Sequence, residues 1–167
     1  TVDCVPHYAD AKNVALLQKF GVLSEKEIKA RMEVLLENYA KTINIEALTM
    51  IDMTKKKYIP TCIAYTKELC DAAAVKQSLD ICSCVEKELA EKVSSLTKAA
   101  YEATEKLEAA VVAAAAKDDC VLSMAKSYRE DVIPVMDDLR AAVDALEVIT
   151  PSEKWPVPAY SDIIFNV

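Results

Sequence analysis

A single glycine in 167 residues limits both the folds and the chemistry open to this chain. Phosphate-binding loops, dinucleotide-binding turns and nucleophile elbows need glycine where the backbone approaches a ligand closely or adopts a positive φ. Gly21 alone cannot build any of them in standard form. Helix-forming sequence fills the remaining length, so we expect an all-α fold that has no catalytic residues of its own.

Charge and hydropathy argue against two classes of partner. The net charge is −7 and the sequence pI is about 4.8, which disfavours a nucleic-acid interface. The only basic run, Lys55–Lys57, is interpreted as a solvated helix face, with a phosphate or lipid patch as the alternative. No apolar stretch approaches the roughly 18 residues that a membrane span requires. We therefore expect neither nucleic acid nor a membrane as a partner.

The chain starts at Thr1 without a methionine and carries no signal peptide, which indicates processing or a piece of a longer protein. Without secretory features, its six cysteines are expected to be free thiols in a reducing cytosol. Cys82 and Cys84 are two positions apart, which on a helix would place them on nearly opposite faces. Since His7 is the only histidine, we expect the cysteines to be small buried hydrophobic residues rather than metal ligands.

Catalytic constellations find no support either. The acid pairs Asp118/Asp119 and Asp137/Asp138 are adjacent, so their side chains diverge on a helix, and we interpret them as caps and solvated faces. His7 is the only candidate histidine base, and it lies near one end of the chain. The Glu-x-x-His motif of di-iron bundles is absent. We therefore assign no catalytic, cofactor-binding or metal-binding residue.

Capping signals predict where the first helices begin and end. After an irregular segment over residues 1–9, a short helix is expected from about Asp10 to Phe20, and Gly21 supplies the left-handed residue that ends it. The S-x-x-E sequence of Ser24–Glu27 is a capping box for the next helix. That helix meets no stop signal until about Gln77. Its expected apolar face comprises Ile28, Met32, Leu35, Tyr39 and Ile43.

Two more long helices are expected after a turn at residues 78–84. The second runs to about Ala116, and its apolar residues are spaced alternately three and four apart, as in a coiled-coil seam. The third begins at Asp118 or Asp119 and ends near Ile149. The seam of the second helix comprises Val93, Leu96, Ala100, Ala103, Leu107, Ala110 and Ala114; the matching positions of the third are Val132, Met136, Leu139, Val143 and Leu146.

These elements predict one helical domain over residues 1–167, built as an elongated up-down-up bundle of three long helices. Pro60 and Pro134 lie inside the first and third long helices, and each is expected to kink its helix. The tail over residues 150–167 is expected to be extended, and non-helical for most of its length, because prolines recur in it. Its apolar side chains should pack along the bundle: Trp155, Tyr160, Ile163, Ile164 and Phe165.

The segment over residues 43–53 is apolar around most of the helix circumference, which is typical of a helix that is covered on all sides. Two flanking helices would cover only part of it. Either the tail or the N-terminal helix covers the rest, or the segment contacts another domain or subunit. Both interpretations remain open at this point.

Several motifs, in the same order, resemble the C-terminal region of type III glutamine synthetases. Lys12–Leu17 and the following Phe20–Ser24 resemble the start of that region, and Leu36–Met50 is more closely similar. Tyr65–Leu69 agrees as well, and so does the pattern W-P-x-P-x-Y-x-D that begins at Trp155. The resemblance spans essentially the whole chain.

The resemblance implies a cytoplasmic bacterial enzyme that condenses glutamate with ammonia, uses ATP with magnesium or manganese, and assembles into a ring-stacked homo-oligomer, typically a dodecamer. Its metal-, ATP- and ammonia-binding sites would lie upstream of the matched region, and no catalytic residue of the family maps onto this sequence. The chain would be a non-catalytic structural or assembly domain, inactive alone, whose partners are the catalytic domain and neighbouring subunits. The alternative is a free-standing module that binds a partner helix along the Val93–Ala114 seam.

Overall fold

A computed structural model of the chain is helical, and it describes residues 1–117, 120–158 and 160–165. No β-strand occurs within these ranges, so the all-α expectation is confirmed. The longest helical run covers 54 residues from Glu25 to Ser78. The α-helices are α1 (Ala11–Lys19), α2 (Glu25–Met53), α3 (Ile59–Ser78), α4 (Cys84–Ala115), α5 (Val121–Ser127), α6 (Ile133–Ile149) and α7 (Tyr160–Phe165).

The end of α1 follows the predicted glycine signal. Gly21 has a φ of 66°, which is the left-handed conformation that a residue without Cβ adopts readily. Its N–H donates to the Gln18 carbonyl, and the Val22 N–H donates to the Leu17 carbonyl, each at 3.0 Å. This pair of bonds is the Schellman motif, which satisfies carbonyl groups that the helix end leaves open.

The start of α2 is the predicted capping box. The Ser24 N–H donates to Glu27 Oε2 at 2.7 Å, and the Glu27 N–H donates to Ser24 Oγ at 3.4 Å. The two residues thus satisfy each other's unpaired backbone donors. These bonds also hold the pKa of Glu27 below its ordinary value. The expected N-caps of the third long helix, Asp118 and Asp119, lie outside the described residues.

The contacts divide the chain into two compact units, and the first comprises Thr1–Leu48 and Leu107–Val135. The N-terminal segment, expected to be irregular, forms a 3₁₀-helix over Val5–Ala9 and contributes Val2 to the core of this unit. Val2 packs in a buried cluster with Leu36 and Ala125. The partly buried residues around that cluster are Val5, Met32, Tyr39, Val121 and Leu122.

The second unit comprises Thr49–Lys106 and Met136–Val167. Within it α3 and α4 run antiparallel, because the Lys76–Glu86 ion pair lies at the turn and the Cys62 thiol meets the Thr97 side chain far from it. Cys62 and Val93 are fully buried here. Burial raises the pKa of the Cys62 thiol, as expected for a charge that would leave water.

Most of the α4 seam is buried: Ala103 belongs to the buried stripe, whereas Leu96 and Ala110 are only partly buried. Val93, Ala100, Leu107 and Ala114 have no exposed surface. The stripe of α2 is correct except at one position, since Leu36 is buried whereas Leu35 is 48% exposed. The predicted stripe was drawn through large apolar residues only, but the buried stripe also includes two alanines, Ala40 and Ala47. A stripe that passes through these alanines runs through Leu36 and not through Leu35.

The prolines lie at unexpected local structures. A π-helical turn over Thr54–Tyr58 comes two residues before Pro60, and another over Tyr128–Val132 comes two residues before Pro134. A proline ring clashes with the carbonyl four residues earlier and lacks the N–H that would bond to it. In both cases that carbonyl belongs to the π-helical turn, which is wider than an α-helical one. Helix therefore continues through each proline. The complete up-down-up bundle, the two kinks and the single domain stay predictions.

The tail departs from the extended form expected. Pro151–Lys154 forms a turn, in which the Lys154 N–H donates to the Pro151 carbonyl at 2.9 Å, and Tyr160–Phe165 forms helix α7. Trp155 is buried as expected, but Ile163 and Ile164 are exposed. The side chains of Tyr160 and Phe165 lie outside what the structure describes.

Candidate functional site

The apolar segment of α2 keeps part of its surface in solvent. Ile45 is 65% exposed and Leu48 is 50% exposed, whereas Ala47 and Ile51 are buried. Val34, which is 52% exposed, lies three helical turns before Ile45 on the same face. We call Val34, Ile45 and Leu48 the outer face of α2. The chain itself therefore leaves Ile45 and Leu48 at least half uncovered, and contact with another domain or subunit stays a prediction.

A shallow groove of about 350 Å³ adjoins one end of the outer face. Its lining residues are Tyr8, Ala30, Arg31, Val34 and Leu35. The N-terminal 3₁₀-helix therefore borders the outer face at Val34. Large side chains that stay exposed next to a groove are a common feature of interaction surfaces.

The α4 seam cannot serve as the binding surface of the alternative function. A partner helix would need access to Val93, Ala100 and Leu107, and all three are fully buried by the chain itself. Binding there would require the packed core to open. The seam is therefore part of the core and not a docking site.

The residues considered for chemistry lie apart and exposed. His7 Nδ1 is 3.1 Å from Asp10 Oδ2, and both side chains are largely in solvent. Asp137 and Asp138 are exposed on α6, and Lys55–Lys57 is exposed within the first π-helical turn. Lys56 pairs with Asp52 one turn earlier. These positions agree with the interpretation as solvated helix faces.

A polar cluster within the first unit joins Lys117, just beyond the end of α4, to α5 and to the π-helical turn that follows α5. Lys117 Nζ donates to Ser127 Oγ at 2.9 Å, and Ser127 Oγ donates to Asp131 Oδ2 at 2.6 Å. These bonds and the nearby ammonium lower the pKa of Asp131. These hydrogen bonds hold the end of α4 against the following helix, so we interpret the cluster as a structural contact.

The cysteines differ most from expectation. Cys62 is buried, but Cys4, Cys70, Cys82, Cys84 and Cys120 are exposed. Cys82 precedes α4 and Cys84 is its first residue, so the helical argument that separates them does not apply. Their Sγ atoms lie 2.6 Å apart. The turn expected at residues 78–84 was the signal that could have revealed this approach.

Within residues 1–117, 120–158 and 160–165, no group of three or more His, Cys, Asp and Glu side chains could hold a metal ion. No helix of that part of the chain is both long and apolar enough to cross a membrane.

Comparison with known proteins points to one family. A family model described as the glutamine synthetase C-terminal domain matches residues 1–77. A glutamine synthetase from Butyrivibrio fibrisolvens is 32% identical over 99% of this chain, which covers 24% of that protein. A type-3 glutamine synthetase from Dictyostelium discoideum is 31% identical over 99% of the chain and 23% of its own length. A glutamine synthetase from Bacteroides fragilis is 26% identical over 98% of the chain.

The chain spans about a quarter of the length of the curated relatives it matches, and the match lies in their C-terminal part. One of those relatives carries the type-3 designation, in agreement with the motifs that begin at Lys12 and end at Asp162. The chain therefore belongs to the family of glutamine synthetase C-terminal domains and corresponds to the C-terminal domain of a type III enzyme.

Proposed function

We propose that this domain supports subunit packing in a type III glutamine synthetase and takes no part in the chemistry itself. The observation that carries the proposal is the outer face of α2, where Ile45 and Leu48 are at least half exposed. Covering the exposed half or more of each side chain would contribute about 1–2 kcal/mol, in proportion to the area removed from water.

The partner is the rest of the same enzyme, either its catalytic domain or a neighbouring subunit. The relatives are about four times as long as this chain, so they contain other regions that could cover the outer face. In the proposed arrangement the parent enzyme makes glutamine from glutamate and ammonia with ATP and magnesium or manganese. It acts in the cytoplasm as a homo-oligomer, for which we propose a dodecamer.

Acidic substitutions on the outer face test this role. In the full-length enzyme, Ile45→Glu combined with Leu48→Glu places two charges where an apolar contact is proposed, and burying an unpaired charge is strongly unfavourable. We expect sedimentation velocity to show loss of the full oligomer, together with a loss of glutamine formation of at least about tenfold. The far-ultraviolet circular dichroism of the 167-residue chain should not change.

Val148→Glu is the matched control, because Val148 is 85% exposed on α6 and lies away from the outer face in sequence. It should leave both the oligomer and the activity intact. An oligomer that survives the double substitution would contradict the proposal. Loss of helical structure in the isolated chain would mean that Ile45 and Leu48 stabilise the domain and not the assembly.

A further inference from the structure

The turn between α3 and α4 brings two exposed thiols together. The helix α3 ends at Ser78. Two residues later Asp80 has a φ of 57°, and the Ile81 N–H donates to the Lys76 carbonyl at 2.9 Å. This is a second Schellman motif, with aspartate in place of glycine. The chain then reverses, so that Cys82 and Cys84 approach each other with their Sγ atoms 2.6 Å apart. A disulfide bond is about 2.0 Å long, so joining them requires little movement.

The surroundings of the two sulfur atoms make them unequal. A hydrogen bond from the Cys84 thiol, followed by one from a backbone N–H, lowers the pKa of Cys82, and the Lys76 ammonium acts in the same direction. The interaction with Cys82 raises the pKa of Cys84. Glu86 opposes the effect at Cys82 but is itself paired with Lys76. Cys82 is therefore the better nucleophile at neutral pH, because the thiolate is the reactive form.

The remaining cysteines provide an internal comparison. Cys70 lies exposed on α3, and Cys4 is exposed near the N-terminus. Cys62 is buried, and burial raises its pKa. Accessibility alone therefore does not distinguish Cys82 and Cys84 from Cys4 or Cys70. The distinguishing feature is the contact between the two sulfur atoms in the turn.

We propose that Cys82 and Cys84 form a redox site that reacts with a small disulfide, such as oxidised glutathione, to close an intramolecular disulfide in the turn. The Cys82 thiolate attacks one glutathione sulfur, so that a Cys82–glutathione bond forms and one glutathione leaves as a thiolate. The Cys84 thiolate then attacks the Cys82 sulfur and displaces the second glutathione. The two protons lost by the cysteines go to the glutathione thiolates. Two protein thiols are oxidised, and one glutathione disulfide is reduced.

This inference does not depend on the proposed role in assembly. The test uses the reduced 167-residue chain, which is mixed with oxidised glutathione near neutral pH, quenched with acid at intervals and mapped by mass spectrometry of its peptides. We expect a Cys82–Cys84 disulfide that has lost two hydrogens and retains no glutathione. It should form at least about tenfold faster than glutathione adds to Cys70, because Cys82 is the more reactive thiol and Cys84 removes the mixed disulfide before the first step can reverse.

Two single substitutions identify the order of the steps. Cys84→Ser removes the resolving thiol, so we expect glutathione to remain bound at Cys82. Cys82→Ser should slow the reaction in the turn to about the rate of Cys70, since the more acidic thiol is gone. Cys70→Ser is the matched control and should leave formation of the disulfide unchanged.

The same reaction in concentrated urea tests whether the fast reaction requires the folded turn or only the short separation of Cys82 and Cys84 in the sequence. We expect the advantage over Cys70 to fall several-fold when the turn unfolds, because the geometry that holds the sulfur atoms together is lost. Equal rates at Cys70, Cys82 and Cys84 in the folded chain, with glutathione retained at each, would overturn the proposal. An advantage that is unchanged in urea would also overturn it.

Discussion

Each end of the described chain is held to helices of its own unit by one buried apolar side chain and one ion pair. At the N-terminal end, Val2 is 1% exposed among aliphatic neighbours, and Asp3 pairs with Arg129. At the C-terminal end, Trp155 stacks on Tyr58 with ring centroids 5.1 Å apart and planes 16° apart. Lys154 pairs with Glu68 at 2.6 Å.

The two anchors differ in size and in polar content. Val2 is small and has no polar side-chain atom, whereas Trp155 is large and its buried Nε1–H has no acceptor among the described residues. An unsatisfied buried donor offsets part of the stabilisation that burial provides. The residue that is easier to recognise in the sequence as an anchor is therefore the one that keeps an unsatisfied hydrogen-bond donor. Trp155 was expected to pack, and Val2 was not.

The largest effect is expected at the C-terminal anchor. Trp155→Ala removes the stack on Tyr58 and the apolar area beneath it, and should lower the free energy of unfolding by about 3–5 kcal/mol. Trp155→Phe keeps an aromatic ring and removes the Nε1–H that lacks an acceptor, so it should cost clearly less. Urea unfolding followed by circular dichroism measures both. Equal losses for the two variants would show that the stack with Tyr58 is not the stabilising contact.

A smaller loss is expected at the N-terminal anchor. Val2→Ala removes two buried methyl groups from the cluster with Leu36 and Ala125, and should lower the free energy of unfolding by about 1–3 kcal/mol. Val5→Ala, at a position only partly buried beside the same cluster, is the matched comparison and should cost less. If Val2→Ala leaves the unfolding midpoint unchanged, the N-terminal segment does not contribute to the core of the first unit.

The smallest effect concerns the N-terminal ion pair and depends on pH. The hydrogen bond from Arg129 holds the pKa of Asp3 below its ordinary value of 3.8. Its stabilising contribution is therefore present above that value and is lost as the pH falls through the lower pKa of the folded chain. Arg129→Met should lower the melting temperature slightly near pH 7, and this difference should shrink as the pH falls through the lowered pKa of Asp3 in the folded chain.

Arg129→Lys keeps the positive charge and loses the forked guanidinium, so its melting temperature near neutral pH should lie between those of Arg129→Met and the unaltered chain. A difference between Arg129→Met and the unaltered chain that stays the same from neutral to acidic pH would contradict the assignment. In that case the aliphatic part of the Arg129 side chain would be the source of the stability.

Local chemistry explains why much of the fold could be predicted. The glycine at position 21 and the serine–glutamate pair at 24 and 27 act on backbone groups within five residues, so the helix boundaries beside them were correct. The predicted helix end near Ile149, where α6 stops, was correct as well. The α4 seam was correct because its spacing repeats over three heptads, which averages out errors at single positions.

The candidate surfaces were less predictable, since exposure depends on what other segments cover. The apolar segment around Ile45 could be recognised in the sequence, but which of its side chains remain in solvent could not. The spacing of Cys82 and Cys84 places them on opposite faces only if both lie on a helix. Because α4 begins at Cys84 and Cys82 lies outside it, the two side chains can approach each other.

The sequence by itself determined the all-α class, the principal helix boundaries and the family. The class follows from the periodicity of apolar residues, the boundaries from backbone capping, and the family from motifs that occur in the same order along the chain. Only the tertiary structure decided the burial of Leu36 in place of Leu35, the π-helical turns before Pro60 and Pro134, and the approach of Cys82 to Cys84. The burial of Leu36 depends on side chains that are distant in sequence, and the π-helical turns relieve a steric clash. The approach of Cys82 to Cys84 depends on how the chain reverses between α3 and α4. Helix propensity carries no information about any of the three.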